Sequence, residues 1–273
     1  METYRVKLSR YEKKMKKTNL ALAILTLVIS PIVFGADNSI YIDQAGDSST
    51  ITMTQDGTGN RIRGIQSQGA GDTTPAVIKG NNLTLTVDQI GSGNKLALGL
   101  DIGTASGNID TLVKYKVTGN DAVASINMNA SGTGVSMSNV IDIQQTGNAA
   151  ITTLAMLGSG NNVGVVQNGG SNNKFVANIN GDNITATVNN TAGAGNETTL
   201  NLTSDNSTVL IDTVGATNKT TISQSGGTLG NYAKIDVLGS GNTIGINQSG
   251  SVDNLTNIKI VGSSNTYSVI QKN

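Results

Sequence analysis

Residues 242–250 read Asn-Thr-Ile-Gly-Ile-Asn-Gln-Ser-Gly, and residues 38–46 read Asn-Ser-Ile-Tyr-Ile-Asp-Gln-Ala-Gly. Side chains on a β-strand point to alternate faces, so Ile244, Ile246 and Gln248 share one face, as do Asn38, Ile40, Ile42 and Gln44. The other face carries Ser, Thr, Asp, Asn or Tyr. Looser copies begin at Ser49 (STITMTQDG), Asn82 (NLTLTVDQIG), Val140 (VIDIQQTG) and Lys219 (KTTISQSGG). A copy or a degenerate relative recurs about every 11–12 residues from Asn38 onward, which marks a repeat architecture.

Between the strands stand GTGN, GSGN or GSSN turns, at residues 57–60, 91–94, 158–161, 239–242 and 262–265. Gly and Asn accept the positive φ that tight turns require. The turn glycines to note are Gly46, Gly57, Gly91, Gly158, Gly239, Gly250 and Gly262. One strand–turn–strand–turn unit cannot bury its apolar face alone, whereas stacked units bury a continuous core. The expected fold is therefore all-β: a β-solenoid of about ten coils, roughly twenty strands, with two facing parallel sheets and a length of about 50 Å. Residues 101–140 are less regular; Val117 and Ala130 stand there where Gln is expected, and wider arcs are predicted.

An inward amide is costly unless its hydrogen bonds are met. In a stacked solenoid it meets its own kind one coil above and below, forming a ladder that also fixes register. The candidate ladder residues are Gln44, Gln55, Gln68, Gln89, Gln145, Gln167, Gln224, Gln248 and Gln271, with Asn38, Asn60, Asn94 and Asn242. The Gln residues are in phase with the aliphatic face and read as ladder members. For the Asn residues, turn and ladder roles both stay open. Counting one strand per unit puts Gln44, Gln68, Gln89, Gln145 and Gln167 in odd-numbered strands, and Gln55, Gln224, Gln248 and Gln271 in even-numbered ones.

Residues 1–36 read as an N-terminal extension plus a secretory signal, and 37–273 as the repeat body. Lys13, Lys14, Lys16 and Lys17 form a basic region, and an apolar run from Leu20 to Ile29 is too short to span a bilayer comfortably. Pro31 breaks the run, small residues follow at Gly35 and Ala36, and Met15 reads as the start.

Function classes narrow by composition. The chain has no His, no Cys and no Trp, so the commonest general base, the thiol nucleophile and the usual zinc ligands are missing. No enzyme, metal or cofactor site is expected. The formal net charge of zero hides an uneven split: residues 1–35 hold 7 of 18 basic and 2 of 18 acidic residues, leaving a body near −5. A mildly acidic body argues against nucleic acid as a partner. Asp43, Asp88, Asp142, Asp212 and Asp236 are outward positions that keep the surface soluble. Lys114-Tyr115-Lys116 reads as a solvated strand face.

The segments Gln44-Ala-Gly46, Gln55-Asp-Gly57-Thr-Gly-Asn60, Gln89-Ile-Gly91-Ser-Gly-Asn94 and Gln248-Ser-Gly250 carry a spacing that resembles the curlin repeat of bacterial curli subunits. The resemblance runs over nearly all of residues 37–273. It implies a secreted solenoid that polymerises head to tail with itself into extracellular amyloid fibres on the cell surface, supporting adhesion and biofilm matrix. A nucleator subunit and an outer-membrane secretion pore are the implied partners. The chain departs from the family in carrying about twice the strands of a five-repeat curlin, and its middle units, TTLAMLG from Thr152 and STVLIDTVG from Ser207, are aliphatic where Gln is expected. The alternative class is a rod that does not polymerise, either a surface adhesin or a bacteriophage fibre protein. A lone rod needs a cover at each end. Here the repeat is expected to start beside the cleavage site and its final unit, TYSVIQ, closes the chain, so the fibre subunit is the reading carried forward.

Overall fold

The computed structural model describes residues 26–29 and 39–272, apart from 66–73, 102–109, 120, 129–135, 148, 170–171, 181–182, 193–194, 204–205, 214–216, 226–229, 240, 250–253 and 263. Asn38, Gln68, Ala130 and Gly250 lie outside the described residues.

The chain is a β-solenoid of two parallel sheets. Apart from the short strands Asp43–Ala45, Ala76–Lys79 and Ser136–Met137, which join the second sheet, alternate strands go to opposite sheets, so each pairs with the one a full coil later. The first sheet stacks Thr26–Ile29, Thr50–Asp56, Thr84–Ile90, Leu112–Thr118, Val140–Gly147, Asn162–Gly169, Thr185–Ala192, Thr208–Thr213, Tyr232–Val237 and Leu255–Ile260. The second stacks Ser39–Tyr41, Arg61–Arg63, Lys95–Asp101, Val123–Met128, Ile151–Ser159, Lys174–Asn180, Asn196–Leu202, Asn218–Ser225, Asn247–Ser249 and Ile270–Lys272. No α-helix occurs among the described residues. The lowest strand of the first sheet, Thr26–Ile29, falls inside the apolar run read as a signal and pairs with Thr50–Met53.

Alternation sets the core. Thr84–Ile90 shows the pattern directly: Leu85, Val87 and Gln89 are buried, and the residues between them are not. Inward Ile, Leu, Val, Met and Ala from every coil form one continuous column between the sheets, with Tyr115 and Phe175 as its large rings. Each fully buried Val, Leu or Ile contributes about 1.5–3 kcal/mol. Because the column is uniform along the rod, that stabilisation is spread over neighbouring coils and is not concentrated in one nucleus.

The irregular part begins earlier than the sequence suggests. Arg61–Arg63 and Ala76–Lys79 share a single layer of the second sheet, with an insertion between them in the sequence. Arg61 and Ile62 pair with Lys95 and Leu96, and Ala76–Lys79 pairs with Leu98–Asp101. The neck of the insertion is closed by the Gly64 N–H donating to the Thr74 carbonyl (3.0 Å). Asp43 accepts there from the Val77 N–H (2.9 Å) and the Ile65 N–H (3.2 Å). One strand per unit therefore over-counts by one here. That corrects the odd–even assignment: Gln55 sits in the first sheet with Gln89, Gln145 and Gln167, and Gln44 in the second with Gln224, Gln248 and Gln271.

The turns stack as tightly as the strands. Gly57, Gly91 and Gly158 take φ of 134°, 110° and 129°, and the second glycines Gly59, Gly93, Gly160 and Gly241 take 68–75°. A Cβ on Gly91 would lie 1.7 Å from the Gly57 carbonyl oxygen, and one on Gly262 would lie 1.4 Å from that of Gly239. Gly91→Ala should therefore destabilise the rod by about 1–3 kcal/mol or more, through strain and the forced separation of two coils. Gly164→Ala, where the nearest atom is 3.8 Å away, should be neutral or slightly stabilising. Thermal unfolding of the two variants side by side checks this.

Candidate functional site

Register turns the inward amides into two columns. On the first sheet the column runs Gln55, Gln89, Val117, Gln145, Gln167, Asn190, Thr213, Val237, Ile260. Gln89 Nε2 donates to Gln55 Oε1 (2.8 Å), and Gln167 Nε2 to Gln145 Oε1 (2.9 Å). The same Nε2 groups reach across the turn to the next strand's backbone: Gln55 to the Arg61 carbonyl (3.0 Å), and Gln167 to Ala150 (2.8 Å) and Lys174 (3.2 Å). Each amide thus ties coil to coil and also closes the corner of its own coil.

Val117 breaks the column, and the sequence gives no hint of what replaces the missing rung. Tyr115, two residues earlier on the same inner face, donates its hydroxyl to Gln89 Oε1 at 2.9 Å. Thr152 donates to Gln145 Oε1 at 2.6 Å, and Asn190 Nδ2 to Thr198 Oγ1 at 3.0 Å. Burial raises the Tyr115 phenol well above its ordinary range. The native state therefore holds it neutral while the unfolded chain ionises near pH 10. Stability should fall by up to about 1.4 kcal/mol per pH unit above that point from this group alone. Tyr115→Phe should lose that alkaline component in a comparison of unfolding at pH 9 and pH 11.

The second sheet's column runs Gln44, Ile78, Leu100, Met128, Met156, Ile179, Leu202, Gln224, Gln248, Gln271. Its amides gather at the far end. Gln224 Nε2 donates to Gln248 Oε1 (2.9 Å), and Gln248 Nε2 to Thr256 Oγ1 (2.8 Å). Gln271 stands in register above Gln248 but is exposed. Gln44 is not a rung: its neighbour in register is Ile78, and its Nε2 donates to Ser49 Oγ (2.9 Å).

The Asn positions resolve case by case. Asn242 takes both roles, donating to the Gly239 carbonyl of its own turn (2.9 Å) and to Asn218 Oδ1 one coil away. Asn265 donates in turn to Asn242 Oδ1. Asn139 with Asn161 (3.0 Å) and Asn173 with Asn196 (3.3 Å) form further rungs. Asn60 and Asn94 form no rung with each other. Asn60 donates to the Ile90 carbonyl, and the amide of Asn94, buried beneath Ala122, makes no hydrogen bond.

The outer faces carry the charges. Lys114 and Lys116 point outward in register with Asp142 and Asp88, respectively, while Tyr115 points in. On the second sheet Glu197 bridges Lys174 and Lys219, each at 3.2 Å, and the hydrogen bond from Lys174 is the main cause of its lowered pKa. This exposed triad is worth no more than about 1 kcal/mol.

The last coil differs from every coil beneath it. Leu255–Ile260 and Ile270–Lys272 are the outermost strands of the two sheets. Inward residues just before Ile270 lie open: Tyr267 is 50% and Val269 40% exposed, whereas Ile244 and Ile246 directly beneath are 2% and 3%. Ile258 and Ile260 are only partly buried. The backbone is open as well. The N–H groups of Ile244 and Ile246 donate forward to Thr266 and Ser268. The equivalent groups of Tyr267 and Val269 face the empty side. An apolar strip flanked by unpaired backbone donors and acceptors is a template for another strand. No protein-family model, curated protein or solved structure matches this chain.

Proposed function

We propose that this chain is a secreted structural subunit that polymerises into extracellular fibres, in the manner its curlin-like repeat implies, and serves cell adhesion or a biofilm matrix. The observation that carries the reading is the open coil of residues 255–272. Its spacing, its aliphatic rows and its amides repeat those of the coils below, so another copy of the same chain supplies the cover that fits it. Addition of a copy leaves the same kind of open coil at the new end, which gives growth without closure.

Two further features agree. The surface is polar and mixed in charge, which suits a rod that grows end to end and resists sideways association. The core is aliphatic and continuous, as a cross-β fibre core requires. Partners are the chain itself, with a nucleator and an outer-membrane pore as the resemblance implies.

Seeding tests the reading. The full chain, carrying a specific protease site at residues 34–37, is cleaved to release the repeat body. Cleaved protein should assemble after a lag into unbranched fibres that bind amyloid dyes and resist detergent, and sonicated fibres should abolish the lag. Protein that stays monodisperse for days with seeds present would favour the non-polymerising rod.

A further inference from the structure

Among the described residues from Ser39 onward, the solenoid holds an odd number of half-coils. The second sheet has ten described layers, and the first has ten only when Thr26–Ile29 is counted. From Ser39 onward the first described strand, Ser39–Tyr41, and the last, Ile270–Lys272, both lie in the second sheet. A second copy stacked in the same orientation would set Ser39–Tyr41 over the strand ending at Lys272. It would then leave a gap one strand wide in the first sheet, between Leu255–Ile260 and the newcomer's Thr50–Asp56. A copy turned by half a turn about the rod axis leaves no gap. Its Ser39–Ala45 segment lies over Leu255–Ile260, and its Thr50–Asp56 strand over residues 266–272.

The amide columns make the same choice independently. Gln224, Gln248 and Gln271 end the second sheet's column, while Gln55 and Gln89 begin the first sheet's. Only the half-turn joins them, placing Gln55 of the next copy over Gln271, Met53 over Val269 and Ile51 over Tyr267. The free Gln271 then becomes a rung in a run of five amides. In the same orientation Gln271 would meet Gln44, whose Nε2 is engaged by Ser49 and whose next neighbour is Ile78, so the run would stop. The half-turn instead sets Gln44 over Ile260, and continues the column of Asn231 and Asn254 toward that of Asn60 and Asn94.

We infer that successive copies in the fibre are related by a half-turn about its axis, the second sheet of one copy running on as the first sheet of the next. This rests on the fibre reading above and adds a partner face to it. The receiving edge, Thr50–Asp56, is the one that Thr26–Ile29 covers in the uncleaved chain, with Leu27 and Ile29 in register with Ile51 and Met53. The leader strand is therefore a built-in block on joining, and its removal is the step that licenses assembly.

The absence of cysteine makes the test direct. Outward positions on adjacent parallel strands lie about 4.8 Å apart, within disulfide reach. Thr266→Cys protein is mixed with an equal amount of either Thr50→Cys or Ser39→Cys protein, cleaved, assembled and oxidised. Disulfide heterodimers are then counted by mass spectrometry. The half-turn predicts that Thr266–Thr50 pairing exceeds Thr266–Ser39 pairing at least tenfold, and that uncleaved chains give neither product. The reverse preference, or fibres giving equal yields of both, overturns the half-turn while leaving the fibre reading intact. If electron microscopy shows no fibres at all, the fibre reading falls and this inference with it.

Discussion

Gln167→Glu should cost several kcal/mol at neutral pH, and the loss should shrink as the pH is lowered. Gln167 is fully buried, and its Nε2 donates to three oxygens: Gln145 Oε1 at 2.9 Å, the Ala150 carbonyl at 2.8 Å and the Lys174 carbonyl at 3.2 Å. Glutamate replaces that donor with a carboxylate oxygen facing three acceptors, with no cation at hand. A buried charge of this kind is neutralised by binding a proton, which raises its pKa far above that of the unfolded chain. The sign follows from linkage: below the unfolded carboxylate range both states are protonated and the penalty is smallest, and it grows as the pH rises. Gln167→Leu removes the donor without adding charge and should cost only about 1–3 kcal/mol. Chemical denaturation of the three proteins at pH 4 and pH 7 checks the order. A Glu variant as stable as wild type at pH 7 would mean that the amide does not face inward.

The pair Ile258→Pro and Val269→Pro should abolish growth at the open end while leaving the rod folded. Both positions direct their N–H groups at the empty side, so proline removes donors that no strand of the same chain uses. The double variant can still join a growing end through its other face and then blocks it. Substoichiometric amounts should therefore arrest the growth of wild-type seeds. Ile270→Pro is the contrast, because the Ile270 N–H donates back to the Ile246 carbonyl at 3.3 Å. That change should loosen the last strand itself. Time courses of dye binding with added variant separate the two effects.

Much of this fold is legible in the chain because its information is local and repeated. Alternation gives the inward face of every strand, and Gly-x-Gly-Asn gives the turn. What periodicity does not carry is which sheet a strand joins. That depends on whether the chain crosses the core or returns to the same layer, and Arg61–Arg63 and Ala76–Lys79 both pair with Lys95–Asp101. The amide rungs were only half legible for a related reason. Gln55 and Gln89 are rungs because register brings them together, whereas Gln44, with the same local sequence, faces Ile78. Nor does any local pattern announce that Tyr115 stands in for a rung lost at Val117, or that Asn94 is stranded beneath Ala122. These are properties of the stack, visible only once residues 26–34 apart in the chain lie in adjacent coils.

The central claim is that the open coil is completed by another copy, so that the sheets run on from subunit to subunit. X-ray diffraction from aligned fibres of the cleaved protein tests it most directly. The strands lie across the rod axis, so the account predicts a sharp meridional reflection at about 4.7–4.8 Å, with sheet packing near 10 Å on the equator. Fibres whose 4.7–4.8 Å reflection falls on the equator, or protein that forms no fibres at all, would contradict it.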